Sequence, residues 1–157
     1  MTLLNRKIDY ALLILCYLHR KNEGGCAREI ADHYAISRPF VANILKDLCQ
    51  KGFVASLRGV RGGYLLQPRM QETTLVELMD QLDDPVRLVE CNHEQPETCC
   101  NVSEACPIRE PLQEVHRQLR EVLRSVKLVD LFREGAKTPA ALDLGVSRCA
   151  LPDPCKL

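Results

Sequence analysis

The sequence predicts a mainly α-helical protein with one small β-hairpin. Three observations carry that prediction. Apolar residues recur at helical spacing in five separate stretches, and one short stretch between them switches to strand-like runs around a glycine-rich turn. The third is size: 157 residues leave room for one ordinary domain with an appended helix.

The elements follow in order. Ile8, Ala11, Leu12, Leu15 and Leu18 share one face of a first helix, which Asn22, Gly24 and Gly25 break. A second, short helix covers about Ala27 to Tyr34, with Ile30 and Ala31 inward and a turn at Ala35-Ile36. Ser37 is an N-cap for a third helix and Pro39 fits its first turn. Val41, Ile44, Leu45 and Leu48 line the inner face of that helix, which ends at Gly52. Two short helices joined by a tight turn are a helix-turn-helix. Two strand runs come next, Phe53 to Leu57 and Tyr64 to Gln67, around Arg58-Gly59-Val60-Arg61-Gly62-Gly63. Three glycines permit positive φ angles in a hairpin turn, and a hairpin in this position is a wing. Thr73-Thr74 caps a fourth helix with Leu75, Leu78, Met79 and Leu82 on one side, and Asp83-Asp84-Pro85 stops it. After Cys106 a long helix is expected. Leu112, Val115, Leu119, Val122, Val126 and Val129 alternate spacings of 3 and 4, a heptad seam of about two and a half repeats.

Charge supplies the first functional clue. Charged residues are 27% and hydrophobic ones 46%, the balance of a globular chain, and the formal net charge is zero. The zero hides a partition: net +6 over residues 1–70, −8 over 71–110 and +2 over 111–157. A basic N-terminal module with a helix-turn-helix suits double-stranded DNA. The outward positions of the third helix are Ser37, Arg38, Phe40, Ala42, Asn43 and Lys46. Arginine can read guanine and asparagine adenine, each through two hydrogen bonds in the major groove. Arg58 and Arg61 stand at the wing, where phosphates would meet them. A bundle with a merely solvated charged face accounts less well for the basic excess and the arginine-glycine tip.

Cysteine supplies the second clue. Cys91, Cys99, Cys100 and Cys106 fall within sixteen aperiodic residues. Thiolates are soft ligands for zinc, copper(I) or iron–sulfur clusters. The wide gaps differ from the paired knuckles of structural zinc and suit a larger cluster. Cysteine as a small apolar residue suits Cys16 and Cys49 within helices and Cys26 at the start of one, but not four cysteines in a polar loop. Metal or redox chemistry is therefore expected there. The run from Ala11 to Cys16 is far too short for a membrane span of roughly 20 residues. Polar Asn5, Arg6, Lys7 and Asp9 stand where an export signal would turn apolar, so a cytoplasmic chain with reduced thiols and no membrane partner is expected. No nucleophile with a neighbouring His and carboxylate and no phosphate-cradling glycine loop opening a helix is present, so no enzyme activity is expected.

Several stretches carry a family likeness. They are Lys7-Ile8-Asp9-Tyr10-Ala11, Arg28-Glu29-Ile30-Ala31, Ile36-Ser37, the run from Arg58 to Leu65, the triad Cys91, Cys100 and Cys106, and Leu128-Val129-Asp130-Leu131. From about Leu3 to Leu131 the chain resembles the winged-helix iron–sulfur transcriptional regulators that include IscR, NsrR and regulators of SUF cluster assembly. The resemblance implies a homodimer on a roughly palindromic operator, with one [2Fe-2S] or [4Fe-4S] cluster per subunit. Carried over, the cluster cysteines fall on Cys91, Cys100 and Cys106, and Cys100 fits better than Cys99 because Cys100-x5-Cys106 keeps the family spacing. The family's fourth ligand is either a histidine three residues after the last cysteine, where this chain has Arg109, or a first-helix aspartate from the other subunit, which matches Asp9. The implied organisation is a winged helix-turn-helix DNA-binding domain over 1–84, a cluster-binding loop over 85–107, a dimerisation helix over 108–134 and a disordered tail over 135–157. The implied function is a transcriptional regulator, a repressor, that senses iron–sulfur, redox or nitric oxide status. The alternative is a cluster-free thiol sensor using Cys99, Cys100, Cys149 or Cys155.

Overall fold

The computed structural model describes residues 4–59, 62–88 and 106–133. Among them run α1 (Arg6–Lys21), α2 (Ala27–Tyr34), α3 (Arg38–Gln50), β1 (Val54–Leu57), β2 (Gly63–Leu66), a 3-10 turn at Pro68–Gln71, α4 (Leu75–Gln81), α5 (Arg109–Ser125) and α6 (Leu128–Phe132). Arg61 at the wing tip, His93, Cys91, Cys99 and Cys100 in the loop, and the tail from 135 lie outside the described residues.

Capping chemistry sets the helix ends. The Asn5 side chain accepts the Ile8 N–H at 2.9 Å and starts α1, and Asn22 ends it in the left-handed region at φ 54. Ala35 closes α2 the same way, also at φ 54, with the Ile36 N–H donating to the Ala31 carbonyl at 3.0 Å. A residue with a Cβ costs roughly 1–2 kcal/mol in that conformation. The tight turn into α3 is therefore held by packing on both sides of it. That packing is the core: Ile8, Ala11, Ile14, Leu15 and Leu18 of α1 meet Ile30 and Ala31 of α2 and Val41, Ile44, Leu45 and Leu48 of α3. Ile14 is absent from the predicted stripe yet fully buried, while Leu12 is only half-buried.

β1 and β2 pair antiparallel, with Val54 opposite Leu66 and Leu57 opposite Gly63. The hairpin does not hang free. The Tyr64 N–H donates to the Gly25 carbonyl at 2.8 Å, and the Gly25 N–H returns to the Tyr64 carbonyl at 3.1 Å. The α1–α2 connection thus acts as a third strand position beside β2. Gly24 makes this approach possible: its φ is +82, and a Cβ there would lie 2.8 Å from the Tyr64 oxygen. Of the three glycines at the wing, Gly59 alone takes a positive φ, at 123.

The helix expected over 108–134 is two helices. Val126 is extended, at φ −90 and ψ 106, and separates α5 from α6. The backbone groups freed there find partners: the Val126 carbonyl accepts the Leu75 N–H at 2.9 Å, and the Leu128 N–H donates to the Thr73 carbonyl at 3.0 Å. The break turns Leu128 and Phe132 back into the core, where both are buried. A straight helix would carry them away from it. α5 itself is fastened to α4 by Arg120, which grips Asp80 through both guanidinium arms at 3.1 and 2.6 Å. Leu123, outside the predicted seam, is the buried residue of α5, and Leu119 and Val126 pack against the same core. Val115 and Ile108 remain 49% and 58% exposed. His116 has its Nδ1 buried with no hydrogen-bond partner among the described residues, and burial, then the Arg120 charge, lowers its pKa.

Gly24→Ala tests the docking of the wing. A positive φ costs a non-glycine residue about 1–3 kcal/mol, before the clash with Tyr64 is counted. The expected result is a lower denaturant midpoint with an unchanged m-value. A wild-type midpoint would mean that the connection does not need this approach.

Candidate nucleic-acid interface

The outer face of α3 is fixed by its inner one. With Val41, Ile44, Leu45 and Leu48 buried, Ser37, Arg38, Ala42, Asn43 and Lys46 are exposed together. Lys46 has no ion-pair partner among the described residues, so its charge is available to a phosphate. Ser37 occupies the cap position, yet its side chain makes no cap bond. Pro39 brings no N–H, and the Phe40 and Val41 N–H groups both donate to the Ser37 carbonyl at 3.1 Å. The hydroxyl therefore stays uncommitted at the positive end of the helix. Phe40 is half-buried: its ring meets Tyr10 edge-on, with centroids 5.3 Å apart and planes at 82°. It anchors the start of α3 to α1 while bordering the outer face. Lys7 and Asp47, 2.7 Å apart, add a partly exposed tie between the same two helices.

Arg38 is not a free cation. Its Nη2 donates to Asp32 Oδ1 at 3.0 Å and Oδ2 at 3.4 Å, while Arg28 Nε lies 3.8 Å from Oδ2. Asp32 is the residue that sequence reasoning missed. A pair six residues apart across a left-handed turn has no periodic signature. At the wing, Arg58 is exposed beside Gly59, and the Gly62 N–H donates to the Gly59 carbonyl at 2.8 Å across the tip.

The cysteines divide by environment. Cys16 and Cys49 pack against the core, as small apolar residues do. Cys26 does something else: its Sγ accepts the Glu29 N–H at 3.5 Å, and its own N–H donates to Glu29 Oε2 at 3.1 Å, a capping box with sulfur in the serine role. The hydrogen bond from Lys21, then that from the Cys26 backbone, lowers the Glu29 pKa. Cys106 is a half-buried free thiol just before α5. Asp9 is exposed in the first turn of α1, released from capping by Asn5 and in no ion pair among the described residues. No three potential metal ligands converge among the described residues, of which Cys106 is the one loop cysteine.

A helix-turn-helix with an exposed polar and basic second helix, followed by a docked arginine wing, defines a DNA-binding protein of the winged-helix class. The family model described as iron-dependent transcriptional regulators, Rrf2, matches residues 4–134, and the chain belongs to the Rrf2 family of transcriptional regulators. It is 31% identical over 147 residues to an rrf2-like HTH-type transcriptional regulator of Rhodobacter capsulatus, covering 88% of this chain and 97% of the relative. It is 29% identical over 125 residues to the HTH-type transcriptional regulator NsrR of Shouchella clausii, covering 78% and 83%. Among solved structures it is similar to CymR, described as the global cysteine regulator of B. subtilis, with a TM-score of 0.65 and 27% identity over 84% of this chain and 97% of that one. The family's members are regulators of transcription, not enzymes. No helix among the described residues is long and apolar enough to cross a membrane.

The exposed cations set a measurable expectation. Lys46→Ala and Arg58→Ala should weaken binding to all duplexes alike, and each should lower the slope of log affinity against log salt by about 0.9. Asn43→Ala should instead relax preference at one base pair, by about 1–3 kcal/mol. Fluorescence anisotropy across a salt series separates the two effects. An unchanged slope in the Lys46→Ala/Arg58→Ala double variant removes both residues from the interface.

Proposed function

We propose that the chain is a homodimeric repressor that reads a palindromic double-stranded DNA operator and senses iron–sulfur, redox or nitric oxide status through a bound [2Fe-2S] or [4Fe-4S] cluster, one per subunit. Ser37, Arg38 and Asn43 enter the major groove, with Phe40 at their border. Lys46, Arg58 and Arg61 meet phosphates. Cys91, Cys100 and Cys106 hold the cluster together with Asp9 of the partner subunit. The observation that carries this reading is the state of Asp9: an exposed carboxylate that neither caps its helix nor joins an ion pair among the described residues. A carboxylate in that state is open to a metal. The donor set fits, since soft thiolates with one hard oxygen suit iron.

Bound, the cluster would supply iron that oxidants or nitric oxide can attack. The remaining steps belong to the protein. Its cysteines must be deprotonated to hold metal, which makes the loop sensitive to acid and oxidant. The loop leads directly into α5 at Cys106. α5 is joined to the DNA-binding domain by the Arg120–Asp80 pair and by the backbone bonds at Val126 and Leu128. A change at the loop is thereby passed to the spacing of two winged domains, and half-sites about 34–36 Å apart tolerate little change of spacing. The dimer surface is the apolar side of α5 that carries exposed Val115 and half-buried Leu112 and Val122, with exposed Ile108 just before the helix.

The similarity to a cysteine regulator favours a second reading, in which the same fold senses thiol chemistry without a cluster. One preparation decides between them. Protein purified without oxygen should contain iron and sulfide and absorb visible light. Cys91→Ser, Cys100→Ser and Cys106→Ser should each lose most of the iron, while Cys99→Ser, Cys149→Ser and Cys155→Ser should keep it. Asp9→Ala should shift the spectrum or make the cluster labile, with fold and dimer intact. Full iron in all three triad variants refutes this ligand set. Iron-free protein whose DNA affinity responds to oxidation establishes the thiol reading instead.

Assembly is checked separately. Wild-type protein should sediment as a dimer. Val115→Asp should sediment as a folded monomer, because it places a charge in the interface without touching the core. Leu119→Asp is the poorer test, since Leu119 also packs on its own chain. A wild-type monomer refutes the dimer.

A further inference from the structure

An aspartate on a DNA-binding surface repels phosphates, so its presence calls for a reason. Asp32 stands on α2 beside the first residue of α3, in a module of net charge +6. It draws in Arg38, whose Nη2 donates to Oδ1 at 3.0 Å and to Oδ2 at 3.4 Å. Both side chains are 56% exposed, and an ion pair that open to water contributes little to stability. Stability is therefore not what the pair supplies. Its effect is on direction. A free arginine at this position has many rotamers and would settle on the nearest phosphate. An arginine tied through Nη2 has lost most of that freedom, and the second N–H of Nη2, paired with Nη1 or with Nε, still offers a two-donor edge.

We propose that Asp32 is a positioning residue for sequence specificity: it holds the Arg38 guanidinium toward a guanine edge in the major groove and away from the phosphates. This rests on the reading above that Arg38 faces base pairs. Guanine presents O6 and N7 side by side, a match for two donors of a planar guanidinium. The negative charge of Asp32 meanwhile discourages a phosphate from occupying the place of the base. Arg28, at 3.8 Å from Oδ2, is a looser second partner for the same carboxylate. Asp32 thus trades general affinity for discrimination.

The test uses the full chain and duplex DNA. An operator is first selected by the wild-type protein from a duplex pool with a randomised centre. Affinities are then measured for every single base-pair change and for a random duplex, across a salt series. Arg38→Ala should lose discrimination at one base pair of each half-site, by roughly 5- to 150-fold. Asp32→Ala, which keeps the arginine, should lose at least 5-fold at that same base pair. It should also bind random duplex more tightly, with a steeper salt slope. Asp32→Asn, which keeps one acceptor oxygen for Nη2, should retain part of the discrimination. In the Arg38→Ala background, Asp32→Ala should have no further effect at that base pair. A merely structural role for Asp32 would weaken all duplexes together and would not single out that base pair. Full discrimination in Asp32→Ala, or an equal loss in the Arg38→Ala background, overturns the proposal while leaving Arg38 as a reader. An Arg38→Ala variant with unchanged base preference overturns the reading of Arg38, and the positioning role with it.

Discussion

Four side chains of α3, Val41, Ile44, Leu45 and Leu48, are withdrawn from water against α1 and α2, and the orientation of everything that meets DNA follows from that burial. Each buried aliphatic of this size stabilises by about 1.5–3 kcal/mol. Rotating α3 by half a turn would expose all four at once. The opposite face is therefore presented with little freedom, and Ser37, Asn43 and Lys46 need no interaction of their own to hold them outward. Phe40 against Tyr10 pins the remaining degree of freedom, the slide of α3 along its axis.

The wing and the C-terminal helices are attached by backbone rather than by side-chain packing alone. Gly25 pairs with Tyr64, and residues 73 and 75 pair with residues 128 and 126. Such joints are short and directional, so they fix distances that apolar packing would leave loose. The first places Arg58 relative to α3. The second ties the start of α4 to the break between α5 and α6, which makes α5 a lever on the DNA-binding domain. Its polar grip on α4 faces inward, and Val115 and Ile108 are left to water.

Electrostatics works locally here, not through the total charge. A chain of net zero places +6 on the module that carries the helix-turn-helix. Within that module two carboxylates have opposite fates. Asp32 is committed to Arg38, whereas Asp9 has no ion-pair partner among the described residues. Charge counting treats the two alike. Their partners distinguish them, and so do the roles assigned to them.

Periodicity in the sequence was enough for the helix-turn-helix, the hairpin and, apart from half-buried Phe40, the outward residues of α3, because each depends on spacings of a few positions within one element. The break at Asn22 and the cap at Thr74 were legible for the same local reason, as was the placing of Cys16 and Cys49 as apolar residues, whereas Ser37 stands at the cap position without the side-chain bond its type suggests. Periodicity failed at Val126, where a valine at seam spacing interrupts the helix. That break depends on where Leu128 and Phe132 must be buried and on backbone groups near Thr73, some fifty residues away in the chain. It placed the turn at Ala35 but not its left-handed form, which no residue type announces there, and it missed the capping role of Cys26, whose sulfur accepts a helix N–H. The Asp32–Arg38 pair and the split of α5 into a buried line through Leu123 and an exposed one through Val115 are likewise tertiary. Sequence alone determined which faces exist, since amphipathic spacing is a property of one segment. Only the tertiary structure decided which groups meet across segments, because such contacts depend on the path of the intervening chain.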